Sequence, residues 1–120
     1  MAGVVKNLWG ITEFYCSYRH SEPIKMVYKQ GPTSMFYSCP HYYVDSINRP
    51  NDRSCTNRLS FDDAEAIVLK LSDLILEKEE NGETADFTNF TFKYKSIEIT
   101  VIKYSLTSIH LLILNRRALR

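Results

Sequence analysis

Apolar and polar residues alternate and recur along this chain in three stretches of different period. Ile24, Met26 and Tyr28 alternate with Lys25, Val27 and Lys29, the period of a strand with one wetter face. Gly31-Pro32-Thr33-Ser34 is a turn signal, and Met35 to Cys39 returns as the partner strand, giving a β-hairpin that delivers Cys39 at its end. From Pro40 to Ser54, residues such as Asn48, Pro50, Asn51 and Asp52 have the composition of a loop leading to Cys55. The period then changes. Ala64, Ile67, Val68, Leu71, Leu74 and Ile75 recur at helical spacing, with Ser60 as N-cap, Asp62 and Asp63 at the positive dipole end, and Asn81-Gly82 as the stop. Leu69 and Leu76 widen the apolar face of this helix beyond one stripe, which suits either a helix clamped between sheet and ribbon or a partner-binding face.

Strand periodicity resumes after the helix. Phe90, Phe92 and Tyr94 alternate with Thr91, Lys93 and Lys95, and Ile97, Ile99 and Val101 with Glu98, Thr100 and Ile102. Past a Ser105–Ser108 turn, Ile109 to Leu114 is a more continuously apolar strand. The pattern predicts an α+β fold: an N-terminal β-hairpin module over residues 1–59, then one amphipathic helix and a C-terminal antiparallel three-stranded sheet over residues 60–120. The two parts are expected to pack as one compact unit, with the meander covered on one face by the helix.

Composition changes this picture little. At 120 residues, 44% hydrophobic and 24% charged, the chain is an ordinary globular domain with a modest core. The opening Met1 to Lys6 lacks a basic start followed by an apolar run, and the longest apolar stretch, Ile109 to Leu114, is strand-sized. A cytoplasmic protein with no membrane partner is the expectation. Charge is segregated beneath a net +1. Residues 1–60 carry seven Lys/Arg against four Asp/Glu, residues 61–86 two against nine, and residues 87–120 six against one. An acidic helix between basic flanks disfavours uniform wrapping of nucleic acid but leaves room for a local basic face.

The candidate chemistry lies in the N-terminal half. Cys16, His20, Cys39, His41 and Cys55 fall within forty residues, and three cysteines in a reducing compartment suit metal ligation better than disulfides. Zinc takes four such ligands, usually as pairs from two turns. Cys16, His20, Cys39 and Cys55 form the expected set for a structural zinc, with His41 as the alternative ligand if His20 points away. The spacing Cys-Ser-Tyr-Arg-His places Arg19 where a Cys-x-x-Cys motif would have its second cysteine. The competing reading is three buried thiols in a core that binds no metal.

Lys29-Gln30-Gly31-Pro32-Thr33-Ser34-Met35-Phe36-Tyr37-Ser38-Cys39-Pro40, with Cys55 later, resembles the zinc ribbon appended to bacterial type IA topoisomerases. It also resembles the GRF zinc finger, in which a Gly-Pro turn leads into Phe-Tyr-x-Cys. The likeness spans residues 14–58. Phe36, Tyr37, Cys39 and Pro40 match, whereas the Gly-Arg that names the GRF finger does not occur between Ser34 and Phe36. It implies that the N-terminal module, residues 1–59, is zinc-ribbon-like, a ribbon that binds single-stranded DNA or partner proteins through aromatic and basic residues on the hairpin.

Aromatic and basic residues do crowd that region. Tyr37, Tyr42, Tyr43, Arg49, Arg53 and Arg58 are the candidate contacts, because stacking rings beside cations are what single-stranded nucleic acid binding uses. Tyrosine-rich surfaces equally suit protein interfaces, and the same rings can simply pack a small core. No deaminase, metalloprotease or Walker signature occurs, nothing orients Cys39 and His41 as nucleophile and base, and His110 reads as a strand histidine. Asp62-Asp63 serves the helix dipole, and Arg116, Arg117 and Arg120 a solvated tail or weak anion patch. The expected function is therefore non-enzymatic, with no small-molecule substrate: a zinc-ribbon protein contacting single-stranded nucleic acid. The alternative is a small phage or mobile-element protein that docks on and inhibits a host protein such as a CRISPR effector nuclease.

Overall fold

The computed structural model describes residues 8–18, 20–43, 46–47, 54–83 and 86–119. A short helix α1 (Leu8–Ile11) leads into β1 (Thr12–Cys16), β2 (Ile24–Lys25), β3 (Val27–Gln30), β4 (Met35–Ser38) and β5 (Arg58–Ser60). The long helix α2 (Phe61–Glu80) follows, then β6 (Thr91–Tyr94), β7 (Ile97–Tyr104), β8 (Ile109–Asn115) and a 3-10 turn at Arg116–Ala118. The α+β class expected from the periodicity is the one observed.

Two sheets result. The C-terminal meander β6–β7–β8 is antiparallel as its alternation requires, and it is extended by β1, so that the order is β2-β1-β8-β7-β6. Strand β1 runs parallel to β8, with Thr12 opposite Ile109 and Cys16 opposite Ile113. This register places Cys16, Ile113, Ile99 and Phe92 in one row across the sheet. The next inward row is Phe14, Leu111 and Val101. Because side chains alternate along a strand, both rows point to the same face, where α2 supplies Ile67, Leu71 and Ile75. That face is closed: Cys16, Ile99, Leu111, Ile113, Ile67 and Leu71 have no solvent exposure.

The second sheet, β3-β4-β5, is antiparallel. Its hairpin pairs Val27 with Ser38 and Gln30 with Met35, so Cys39 follows directly on the last paired residue. Gly31 at the turn is a matter of close approach: a Cβ there would lie 3.0 Å from the Ser34 carbonyl oxygen and 3.1 Å from Phe36 Cε1. The single strand expected over 24–29 is divided. Ile24 and Lys25 pair with β1, while Val27 to Gln30 pair with β4. The chain changes sheet at Met26, which is buried and donates its backbone N–H to the Phe14 carbonyl at 2.9 Å. Period-two alternation runs straight through such a corner and so cannot reveal it.

Helix α2 starts and stops as its sequence dictates. The Ser60 hydroxyl accepts from the Asp63 N–H at 3.1 Å. At the other end Gly82 adopts φ 74°, and Glu83 N–H bonds back to the Lys78 carbonyl, the arrangement in which glycine spares the left-handed penalty. Ala64, Ile67, Val68, Leu71 and Ile75 are buried, but Leu69 is 62% exposed and Leu76 half-buried. The two extra leucines therefore do not broaden the core-facing stripe; they lie on the outer side. Among the described residues, no helix is long and apolar enough to cross a membrane.

Candidate metal centre

Each of the four expected ligands is positioned by a different piece of backbone. Cys16 closes β1 in the buried row beside Ile113; His20 lies in the turn that follows, where its N–H bonds the Ser17 carbonyl. Cys39 follows β4, and Cys55 precedes β5, its N–H held by the His41 carbonyl at 2.9 Å. These segments converge. Cys16 Sγ and Cys55 Sγ are 3.6 Å apart, His20 Nε2 is 3.2 Å from Cys39 Sγ, and all four ligand atoms lie within 4.8 Å of one another. Thiolates about 2.3 Å from a shared ion at tetrahedral angles would sit about 3.8 Å apart, so the cluster has the size of a four-coordinate metal site.

Of the two histidines, His20 belongs to the cluster. His41 is exposed; its Nδ1 is 2.9 Å from the Tyr43 hydroxyl, and its ring lies beside that of His20 at 5.1 Å between centroids. The four-residue step from Cys16 to His20 works because an imidazole reaches farther than a thiol. Arg19 lies outside the described residues.

The surroundings are prepared for negative sulfur. The backbone amides of Tyr18 and His41, each two residues past a cysteine, donate to Cys16 and Cys39 respectively. Burial nevertheless dominates at the metal-free thiols of Cys39 and Cys16. It pushes Cys39 up to about 12, opposed by the His41 amide, with Cys16 and Cys55 adding to the rise. It raises Cys16 too, opposed by a side-chain donor from Asn57. Burial, then the nearby His41, holds His20 below its ordinary value and favours the neutral imidazole that a metal needs. Cys16 and Cys39, whose burial resists ionisation, become stable thiolates only against a bound cation.

Asn57 joins the site although no motif in the sequence marks it. It has no solvent exposure, and its Nδ2 donates to Cys16 Sγ at 3.1 Å and to the Ile113 carbonyl at 2.8 Å. Its Oδ1 accepts from the Asn115 N–H at 3.0 Å. The side chain thus ties the cluster to β8. The signal in the sequence was slight: an amide two residues past the last cysteine, in a segment entering a strand.

The candidate contact residues fall out unevenly. Tyr37 is half-buried, its ring 4.8 Å from Phe14 and 5.0 Å from Tyr28, bracing the two sheets against each other. Tyr42, Tyr43 and Arg58 are exposed. Arg49 and Arg53 lie outside the described residues. Tyr42 and Arg58 share a cleft of about 510 Å³ with Lys29, Phe36 and Thr56, whose Oγ1 is buried without a hydrogen-bond partner. Lys29 Nζ stands 5.9 Å from the centroid of the Tyr42 ring. Lys29 and Phe36 belong to the two strands of the hairpin, whose register brings them opposite each other.

No protein-family model, curated protein or solved structure matches the chain. The likeness to topoisomerase ribbons and GRF fingers therefore stands on the quoted residues alone, while the Cys/His cluster stands on its geometry.

Proposed function

We propose that the Cys16, His20, Cys39 and Cys55 cluster holds a structural zinc ion and that the module it organises binds single-stranded nucleic acid in the adjoining cleft. Zinc is favoured by the donor set: three soft thiolates and one imidazole in a closed pocket are the ligands of a structural zinc site. All four tetrahedral positions are taken by protein side chains, so none is open for the water or substrate that a catalytic metal would need. With zinc bound, the three thiolates leave a net negative charge, and the Asn57, Tyr18 and His41 donors aim at it.

The observation that carries the binding reading is the cleft itself, in which two cations and two aromatic rings surround one space. Phe36 and Tyr42 offer faces for bases, and Lys29 and Arg58 offer charge for phosphates. The metal loop sets this geometry, because the Tyr42 N–H bonds the Cys39 carbonyl at 3.2 Å and Thr56 and Arg58 follow directly on Cys55. The role is one of binding rather than catalysis.

Fluorescence anisotropy with a labelled single-stranded oligonucleotide tests this. Lys29→Ala and Arg58→Ala should each lower the slope of log affinity against log salt by about 0.7, one phosphate contact apiece. Tyr42→Ala should cost about 1–3 kcal/mol at any salt, the worth of one stacked base. Failure to bind single strands at low salt by zinc-loaded protein would defeat the reading.

A further inference from the structure

A second surface lies on the far side of α2. Trp9 from α1 and Leu69 and Leu76 from α2 border a groove of about 420 Å³, floored by Val68 and Ser72 and edged by Glu65 and Asp73. Its apolar members are not absorbed by the core: Trp9 is 38% and Leu69 62% exposed. Trp9 is fixed from beneath by edge contact with Phe61 at 5.4 Å between centroids, which holds the indole as one wall. Glu65, Leu69, Ser72 and Leu76 follow one another at steps of four, three and four, so they form a single stripe down the helix. At 1.5 Å per residue that stripe is roughly 16 Å long, about three turns of a second helix.

Charge selects the occupant. Along α2, seven acidic side chains stand against two lysines. Neither lysine serves the groove. Lys70 Nζ donates to the Lys93 carbonyl at 2.7 Å beside the Phe92 ring, and Lys78 pairs with Glu83 at 3.6 Å. A groove with apolar walls at Trp9, Leu69 and Leu76 and carboxylates at Glu65 and Asp73 repels nucleic acid and anionic headgroups. It also disfavours a second copy of this chain, since two such helices would bring like charges together. We infer that this groove docks a basic amphipathic helix of another protein, about three to four turns long, its apolar side on Trp9, Leu69 and Leu76 and its lysines or arginines over Glu65 and Asp73.

Trp9 is the chain's single tryptophan and so reports the groove directly. The zinc-loaded full chain is titrated with a synthetic leucine/lysine amphipathic helical peptide of about four turns, and with the same peptide carrying glutamate for lysine. The leucine/lysine peptide should shift Trp9 emission to shorter wavelength and saturate. Leu69→Arg should weaken it at least tenfold, and Glu65→Gln with Asp73→Asn should flatten its salt dependence; all three positions are exposed, so these variants keep their fold. A leucine/glutamate peptide that binds equally, an unsaturable signal, or an unaffected Leu69→Arg variant would overturn the inference. So would the same emission shift on concentrating the protein alone, which would assign the groove to a second copy.

Discussion

Asn57 is the residue on which the coupling between metal centre and sheet should be read. Replacing it by leucine, which keeps the branched skeleton with somewhat bulkier methyl groups, removes three hydrogen bonds without opening a cavity. Two of the abandoned partners, the Ile113 carbonyl and the Asn115 N–H, belong to β8 backbone; leaving such groups unpaired costs about 1–3 kcal/mol each when water cannot replace the partner. Asn115 is half-buried and can recover part of its loss, so we expect about 2–4 kcal/mol in all, a large share of a typical domain stability of about 5–15 kcal/mol. The third bond acts on the metal: without the Nδ2 donor the Cys16 thiolate is less well stabilised, and zinc affinity should fall about 10–100-fold. Asn57→Asp separates the effects, because its carboxylate can still accept from the Asn115 N–H yet faces Cys16 sulfur with like charge. It should weaken zinc at least as much as leucine does. Urea unfolding of the zinc form gives the first quantity and competition with a chromophoric chelator the second. Both variants retaining wild-type zinc affinity would show that Asn57 is a strut between strands with no bearing on the metal.

Two further outcomes follow from the same geometry. Stripping the ion with a chelator, or Cys39→Ser, should increase amide hydrogen exchange in β3, β4 and β5 far more than in β7 and β8; elemental analysis should find one zinc per chain before treatment and none after, and uniform loss of protection would refute the division. On the outer face of the larger sheet, the Tyr15 hydroxyl donates to Glu13 at 2.9 Å and is the main reason its carboxyl titrates below its ordinary value, with Lys25 helping. A depressed carboxylate stabilises the fold above its unfolded pKa and loses that contribution as pH falls through the folded one, so the stability gap between wild type and Tyr15→Phe should be present at pH 7 and shrink below about pH 4; a gap that widens in acid would contradict this.

What could be read from the sequence was local. Ser60, the Asp62-Asp63 pair and Gly82 delimit α2 because caps and dipole partners act within one turn. The Gly31-Pro32 turn fixes the hairpin register, and hence where Cys39 emerges, for the same reason. The Cys/His set was recognisable because few other roles put thiols and imidazoles so close. What could not be read was pairing at a distance. Residues 12–16 join β8 almost a hundred positions later, and nothing in Thr12 to Cys16 names Ile109 to Ile113 as neighbours. Met26 reads as an ordinary strand position because burial at a corner between sheets looks the same in sequence as burial within one. Asn57 escaped for a related reason: a buried amide is identified by its partners, and those lie 41 residues before it and 56 and 58 after.

The placement of Cys16 explains why the metal should matter beyond the loop that bears it. Cys16 is the inward end of β1 and belongs to the row of Ile113, Ile99 and Phe92, the core of the five-stranded sheet. Cys39 and Cys55 flank strands β4 and β5 of the three-stranded sheet, which has few fully buried side chains of its own beyond Leu59. A three-stranded sheet that cannot bury a full apolar face is marginal unless something fastens it. An ion with ligands from both sheets is that fastening, and Phe14 against Tyr37 is the apolar contact beside it. The division of labour then follows from the packing: α2 and the five-stranded sheet hold themselves together by burial, and the smaller sheet is held to them by the cluster. The cleft formed by Lys29, Phe36, Tyr42 and Arg58 lies mainly on the smaller sheet and its loop, with Ala118 at one edge, whereas the Trp9–Leu69 groove lies on the self-sufficient part. Binding in the cleft should therefore depend on zinc, and docking in the groove should not.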